Sequence, residues 1–345
     1  MTQETDQQPR PRRRWARRTL TVLVTFLTLA VTATLLVAYV WQPPEAHGSR
    51  TSQLSDPRYV DTAVGRFHYS RTGEGPPIVL LPGGTLWIHT YRDTIPALAG
   101  DHTVYAVDLP GNGYTTVHDD DFAYDLQAMT GALTEFMDAV GVPRASIVAH
   151  SLNGAVALSF AQQHPDWVDR IALMAPLALD APLNLNLRLM RIPVIGEATT
   201  KLMTEDLFVS GLSAAYVHRE RFTPETAHTY WAPLSRADNR KAMWKQVRNL
   251  DLSLVDRHLG QISAPTLVLW GERDTVVAPW QAGVLGRRIP GSTVRVIPGA
   301  GHNVHEDDPA AVNAHLAAFL DPAPEPVHPV GQGAAEHPLP AANAR

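Results

Sequence analysis

Residues 145–163 read ASIVAHSLNGAVALSFAQQ, an apolar run that meets a serine and passes at once into a small-residue stretch suited to a helix. A serine at a sharp strand-to-helix turn has its hydroxyl held clear of the sheet. The N–H groups that follow then face the place where an oxyanion would form. Neighbouring backbones crowd such a turn, so small residues are needed two places before and two after Ser151. Ala149 and Asn153 hold those places, with Gly154 one place late. Asparagine tolerates unusual backbone angles better than most residues, which keeps the turn feasible. Taken alone, the same pattern also suits a serine that caps a buried helix.

Working outward, short apolar runs alternate with helical patterns. Strands are predicted at Tyr59–Val64 and Arg66–Arg71, joined at Gly65, then at Ile78–Leu81, Thr103–Asp108, Ser146–His150, Arg170–Ala175, Thr266–Trp270 and Thr293–Ile297. Several are continuously apolar, as strands covered on both faces are. Between Phe122 and Gly141, apolar residues at Leu126, Met129, Leu133, Phe136, Met137 and Val140 follow helical spacing, which Gly141 and Pro143 close. The alternation predicts an α/β fold, a mostly parallel sheet of about eight strands with flanking helices. The core is expected over 58–176 and 262–321. Residues 177–261 are too long for an ordinary crossover and rich in Leu, Met, Tyr and Trp, so a helical cap roofing the strand ends is expected there.

A serine hydroxyl needs a base to take its proton and a carboxylate to orient that base. The strand Thr266–Trp270 runs into Gly271-Glu272-Arg273-Asp274, and Thr293–Ile297 into Pro298-Gly299-Ala300-Gly301-His302. Both ends reach the carboxyl edge of the sheet, where ligands of such folds bind. Asp274 and His302 are therefore the expected partners of Ser151. Glu272 reads as a surface carboxylate, Asp180 as the reserve acid, His305 as an exposed residue at a helix start, and His150 as a core residue. The loop after Ile78–Leu81 carries Pro82-Gly83-Gly84, whose glycines let a backbone N–H approach a developing negative charge. Gly84 and Leu152 are the expected oxyanion donors. Trp87, His89 and Trp231 are the expected substrate contacts.

These residues resemble the α/β-hydrolase fold superfamily, in particular its capped serine hydrolases, from about Tyr59 to Leu320. The likeness rests on LLPGG (80–84), DLPGNG (108–113), AHSLNGA (149–155), WGERD (270–274) with Pro279 after it, and PGAGH (298–302). It implies a nucleophile, acid and histidine in chain order, matching Ser151, Asp274 and His302. The family often has His-Gly where this chain has Pro82-Gly83. Related epoxide hydrolases and haloalkane dehalogenases use aspartate at the elbow, so Ser151 speaks against both and for attack on an acyl carbon. The expected activity is hydrolysis of apolar carboxylic esters, of carboxylesterase or lipase type, with no cofactor and no metal. The same triad on a capped fold can also cleave carbon–carbon bonds, amides or lactones, and a non-catalytic binding homologue is the alternative from another class.

The chain has 345 residues and no cysteine, so disulfides, thiol nucleophiles and thiolate metal sites are excluded. From Thr19 to Trp41 there is no charge, proline or glycine. About 22 residues at 1.5 Å each make a helix of about 33 Å, enough to span a bilayer. Six arginines crowd residues 10–18, while Trp15, Tyr39 and Trp41 stand where interfacial aromatics belong. The expected layout is a basic cytoplasmic head (1–18), a membrane anchor (19–41), a polar linker (42–57) and an extracytoplasmic catalytic domain. The Pro/Ala-rich stretch 322–345 reads as a disordered tail. Export with cleavage of the helix as a signal is the alternative. Beyond residue 18 the chain carries 23 basic against 32 acidic residues, a balance that argues against a nucleic-acid partner.

Overall fold

The computed structural model describes residues 11–321; the expected tail and most of the arginine-rich head lie outside the described residues or their side chains. Nine strands form one mixed sheet: β1 (Arg58–Asp61), β2 (Gly65–Thr72), β3 (Pro77–Leu81), β4 (Thr103–Val107), β5 (Thr116–Val117), β6 (Ala145–His150), β7 (Val168–Met174), β8 (Thr266–Gly271) and β9 (Thr293–Ile297). Their order is β1-β2-β4-β3-β6-β7-β8-β9, with β5 paired to β2. From β4 to β9 every pairing is parallel, whereas β1, β2 and β5 are joined antiparallel at one end.

The strand count exceeds the expected eight by β5, which is two residues long and too short to leave a periodic signal. Gly65 also differs from expectation. It opens β2 rather than lying between two strands, and a side chain there would sit 2.1 Å from the Thr116 carbonyl of β5. The β3 and β6 strands are almost wholly buried. Helices cover both faces, as a sheet with two apolar faces requires. The helix Leu126–Ala139, capped by the Asp125 carboxylate on the Ala128 N–H, packs on the elbow helix Leu152–Gln163.

Between β7 and β8 the chain forms five main helices, Leu185–Met190, Ile195–Leu202, Glu205–Ser213, Pro224–Leu234 and Ala237–Asn249. Polar side chains seat them on the loop after β4. Asn239 donates to the Gly113 carbonyl at 2.7 Å and Gln246 to that of Pro110 at 2.8 Å. Trp87 donates its indole N–H to the Thr229 carbonyl at 3.0 Å. Each bond satisfies a group that burial would otherwise leave unpaired.

The helix Pro11–Tyr39 precedes all of this, and Trp15–Tyr39 is long and apolar enough to cross a membrane. Its leucine, valine and phenylalanine side chains are exposed along most of its length. Residues 42–57, expected to be a polar linker, lie against the domain. The Ala46 N–H donates to the Ser235 hydroxyl at 2.9 Å, and the Ser52 hydroxyl meets His68 Nε2 at 2.8 Å.

Candidate active site

Ser151 joins β6 to the elbow helix with φ of +50°, a conformation unusual for a residue other than glycine. Asn153 is helical, so its expected tolerance of odd angles is not what the turn uses. It acts as a tie, donating from Nδ2 to the buried Pro82 carbonyl at 2.6 Å. Asn112 donates in turn to the Gly83 and Leu86 carbonyls, at 2.9 and 2.6 Å. Together the two asparagines fix the loop 82–86 against the elbow. The close approach that calls for glycine falls on two neighbours. A Cβ on Gly154 would lie 2.5 Å from Pro176 Cβ, and one on Gly83 would lie 2.5 Å from His150 Nδ1 and 3.3 Å from Ser151 Cβ.

The structure brings Ser151, His302 and Asp274 together. His302 Nε2 is 2.9 Å from Ser151 Oγ, and His302 Nδ1 is 2.8 Å from Asp274 Oδ2. A carboxylate only accepts, so Nδ1 carries the proton and Nε2 is free to accept from the hydroxyl. Asp274 Oδ1 accepts the N–H groups of Val276 and Val277 at 2.8 and 2.9 Å, which fixes its plane. The His302 and Asn303 N–H groups both converge on the Ala215 carbonyl of the cap segment.

Leu152 opens its helix, so its N–H has no intrahelical acceptor and lies at the positive end of the helix dipole. Gly84 lies beside it, where a Cβ added to the glycine would stand 3.4 Å from Leu152 Cδ1. Both line a cavity of about 470 Å³ that also exposes Ser151 and His302. Its walls are mainly Leu, Met, Val and Phe from the cap, among them Leu187, Met190, Met203, Phe208, Met243 and Val247. Its few polar side chains include Asn186, Thr199 and Gln246. Among the described residues, no lysine, arginine, aspartate or glutamate lines it.

The three residues expected to touch substrate do not line this cavity. Trp87 is fully buried with its indole N–H satisfied, and His89 stacks on it with ring centroids 5.6 Å apart. Trp231 is buried between Phe208 and the Arg240 guanidinium. All three build the base of the cap, because an aromatic ring with a polar partner is as useful for seating helices as for binding ligand.

His305, expected at the surface, is buried, with Nε2 2.6 Å from the Thr90 hydroxyl. Burial, with Arg92 nearby, lowers its pKa to about 3. His150 is buried as expected, yet it also lines the cavity, and its Nε2–H donates to the His302 carbonyl at 3.1 Å. Burial, reinforced by His305 and His302, pushes its pKa well below the ordinary range, so it stays neutral beside His302. Glu272 is an exposed residue that accepts from the Gly299 N–H. Asp180 is exposed on another loop, where its N–H meets the Asp256 carboxylate.

Two arrangements were not visible in the sequence. Glu306 is buried and accepts from the hydroxyls of Thr90, Tyr216 and Tyr230 at 2.7–2.9 Å and from Arg92, tying the cap to the His302 loop. Burial, then Glu306 itself, raises both tyrosines well above the ordinary phenol range, so they remain donors. Ser52, His68 and Asp108 form a second serine–histidine–carboxylate array, with 2.7 Å between His68 Nδ1 and Asp108 Oδ2. It lies off the cavity, and the Asp108 carboxylate also takes the N–H groups of Ile88 and Tyr114. That set fastens the segment 42–57 to the sheet. Among the described residues, no cluster of His, Asp and Glu is arranged to hold a metal ion.

The sequence profile of the alpha/beta hydrolase fold matches residues 76–309. The chain belongs to the α/β-hydrolase fold family. This α/β-hydrolase is 29% identical over 264 residues to a 2-hydroxy-6-oxo-6-phenylhexa-2,4-dienoate hydrolase of Burkholderia cepacia, a match covering 74% of this chain and 91% of the relative. It is 25% identical over 277 residues to a cis-3-alkyl-4-alkyloxetan-2-one decarboxylase of Shewanella oneidensis, covering 74% and 85%. The crystal structure of a meta-cleavage product hydrolase from Pseudomonas fluorescens superposes with a TM-score of 0.68 at 22% identity, covering 76% of this chain and 97% of that one. This last likeness is one of fold.

Proposed function

We propose that the chain is a membrane-anchored serine hydrolase that cleaves carboxylic esters of apolar acids. In this reading Ser151 Oγ attacks the ester carbonyl while His302 Nε2 takes its proton. Asp274 stabilises the imidazolium, and the Gly84 and Leu152 N–H groups hold the oxyanion. Collapse breaks the bond to the leaving alcohol, which receives the proton from His302. Water, activated by the same imidazole, then attacks the acyl-serine, releases the acid and restores the hydroxyl.

The observation that carries this reading is the wall of the cavity. Ser151 and His302 open into an apolar chamber that, among the described residues, no lysine, arginine, aspartate or glutamate lines, which suits an acyl chain and gives a carboxylate no ionic partner. The dienoate named for the Burkholderia relative is such a carboxylate, so carbon–carbon cleavage of that substrate class is the weaker reading. In this reading the helix is retained as the anchor, and the arginines before it favour a cytoplasmic N-terminus with the catalytic domain outside.

Nitrophenyl esters of increasing chain length, assayed beside a dienoate, test the proposal, with Ser151→Ala as the blank. Turnover should rise with chain length, at up to about 0.8 kcal/mol per buried methylene, and the dienoate should remain intact. Turnover of the dienoate alone would refute the ester reading.

A further inference from the structure

Most of the large apolar side chains that the cap leaves uncovered are gathered on one stretch. Leu185, Leu189, Ile192, Ile195, Leu202 and Leu207 are each between 41% and 65% exposed. Single exposed leucines are ordinary, but a cluster of six on neighbouring short helices marks an interaction surface. Leu189, Ile195 and Leu207 also line the cavity, so its mouth lies within this surface.

The same helices touch the N-terminal helix. Ile195–Leu202 packs on it, Ala38 is fully buried, and Lys201 Nζ donates to the carbonyls of Ala38 at 2.7 Å and Trp41 at 3.2 Å. The Ala38 carbonyl belongs to the last turn of the helix, which has no intrahelical donor for it, and the Trp41 carbonyl lies two residues beyond that helix. A lysine there also complements the negative end of the helix dipole. Tyr39 and Trp41 mark the same level, where aromatic side chains sit at a membrane surface. The cap helix is thus pinned at the height at which the membrane segment leaves the bilayer. Bonds from Ala46 to Ser235 and from Ser52 to His68 hold the connecting segment against the domain, so the orientation is not left to a free tether.

We infer that the cap rests on the bilayer crossed by the N-terminal helix, with the exposed leucines and isoleucines immersed in the headgroup–acyl boundary. The cavity then opens into lipid. Its ester arrives laterally from the leaflet rather than through water. This deepens the ester-hydrolase reading, on which the substrate class rests: a long-chain ester dissolved in the membrane. The expected immersion is that of interfacial amphipathic helices, about 5–10 Å.

The absence of native cysteine makes the placement measurable. Leu185→Cys, Ile192→Cys and Leu202→Cys lie outside the cavity wall. Each is made singly in the full chain, labelled with a nitroxide and placed in phosphatidylcholine nanodiscs containing some phosphatidylglycerol. Asp166→Cys, before β7 and so at the opposite end of the sheet, is the aqueous reference. The three cap labels should collide with oxygen more than with a water-soluble nickel chelate, and the reference should show the reverse. Cap labels that behave like the reference overturn the inference, whatever the enzyme's activity.

The route is read with the triple variant Leu185→Asp/Ile192→Asp/Leu202→Asp. Its turnover of a long-chain ester held in the disc should fall about tenfold or more, and its turnover of soluble nitrophenyl butyrate should stay within about twofold. Equal effects on the two esters overturn lateral entry. Wild-type protein that cleaves neither ester refutes the hydrolase reading instead, while the labels still decide the seating.

Discussion

Replacing Asn153 with glycine would install the residue type that a strand-to-helix elbow favours, and the structure predicts that the enzyme becomes worse. Asn153 is fully buried, and its Nδ2 supplies the hydrogen bond at 2.6 Å to the buried Pro82 carbonyl. Losing that donor strands the acceptor, at a cost of about 1–3 kcal/mol. Glycine in a helical turn adds a few tenths more relative to asparagine. The expected loss of stability is therefore about 2–3 kcal/mol, read from urea unfolding.

The kinetic effect should be smaller than removal of an oxyanion donor, which costs about 10²–10³ in kcat. Asn112 still holds the Gly83 and Leu86 carbonyls, so the loop carrying Gly84 loosens without leaving. A fall of about tenfold in kcat with KM nearly unchanged is expected on a short-chain ester, because the contact forms fully only in the transition state. An Asn153→Gly protein as stable and as fast as wild type would refute the account of this tie.

Gly154→Ala should overpack the elbow helix against Pro176, where the new Cβ would stand 2.5 Å from Pro176 Cβ. A loss of about 1–3 kcal/mol in unfolding free energy is expected. Glu306→Gln should cost about 3 kcal/mol by leaving Arg92 without its buried counter-charge, and chemical denaturation measures it. His150 and His305 are held neutral, with folded pKa values below the unfolded one. The unfolded chain therefore binds more protons as pH falls, so stability is full above about pH 6.5 and declines below it. The His305 share, with its pKa lowered to about 3, amounts to about 2 kcal/mol between pH 7 and pH 5. His305→Gln should flatten that part of the pH profile of unfolding.

The sheet and the meeting of Ser151, Asp274 and His302 were legible because each residue follows an apolar run at a strand end, and parallel strands bring those ends to one edge. The alternation of strand and helix carried the topology with it. The cavity wall was not legible. Leucines and methionines in short cap helices carry no sign of which face turns inward, and Trp87 and Trp231 proved to be packing elements with satisfied or covered rings. The contacts of the segment 42–57 were not legible for a related reason. Its polar, proline-bearing composition resembles a tether, but Ser52 and Ala46 find partners 16 and 189 residues away in sequence, His68 and Ser235. Composition does not register one hydrogen bond between distant residues. The burial of His305 depends likewise on Thr90 and Tyr91, contributed by a turn more than two hundred residues earlier.

A fluorophosphonate probe followed by peptide mass spectrometry tests the central claim most directly, since it asks which hydroxyl the relay activates. The account predicts one adduct per chain, on Ser151, absent from Ser151→Ala protein that melts at the wild-type temperature. Folded wild-type protein that takes no label, or that carries it on Ser52 beside His68, would contradict it.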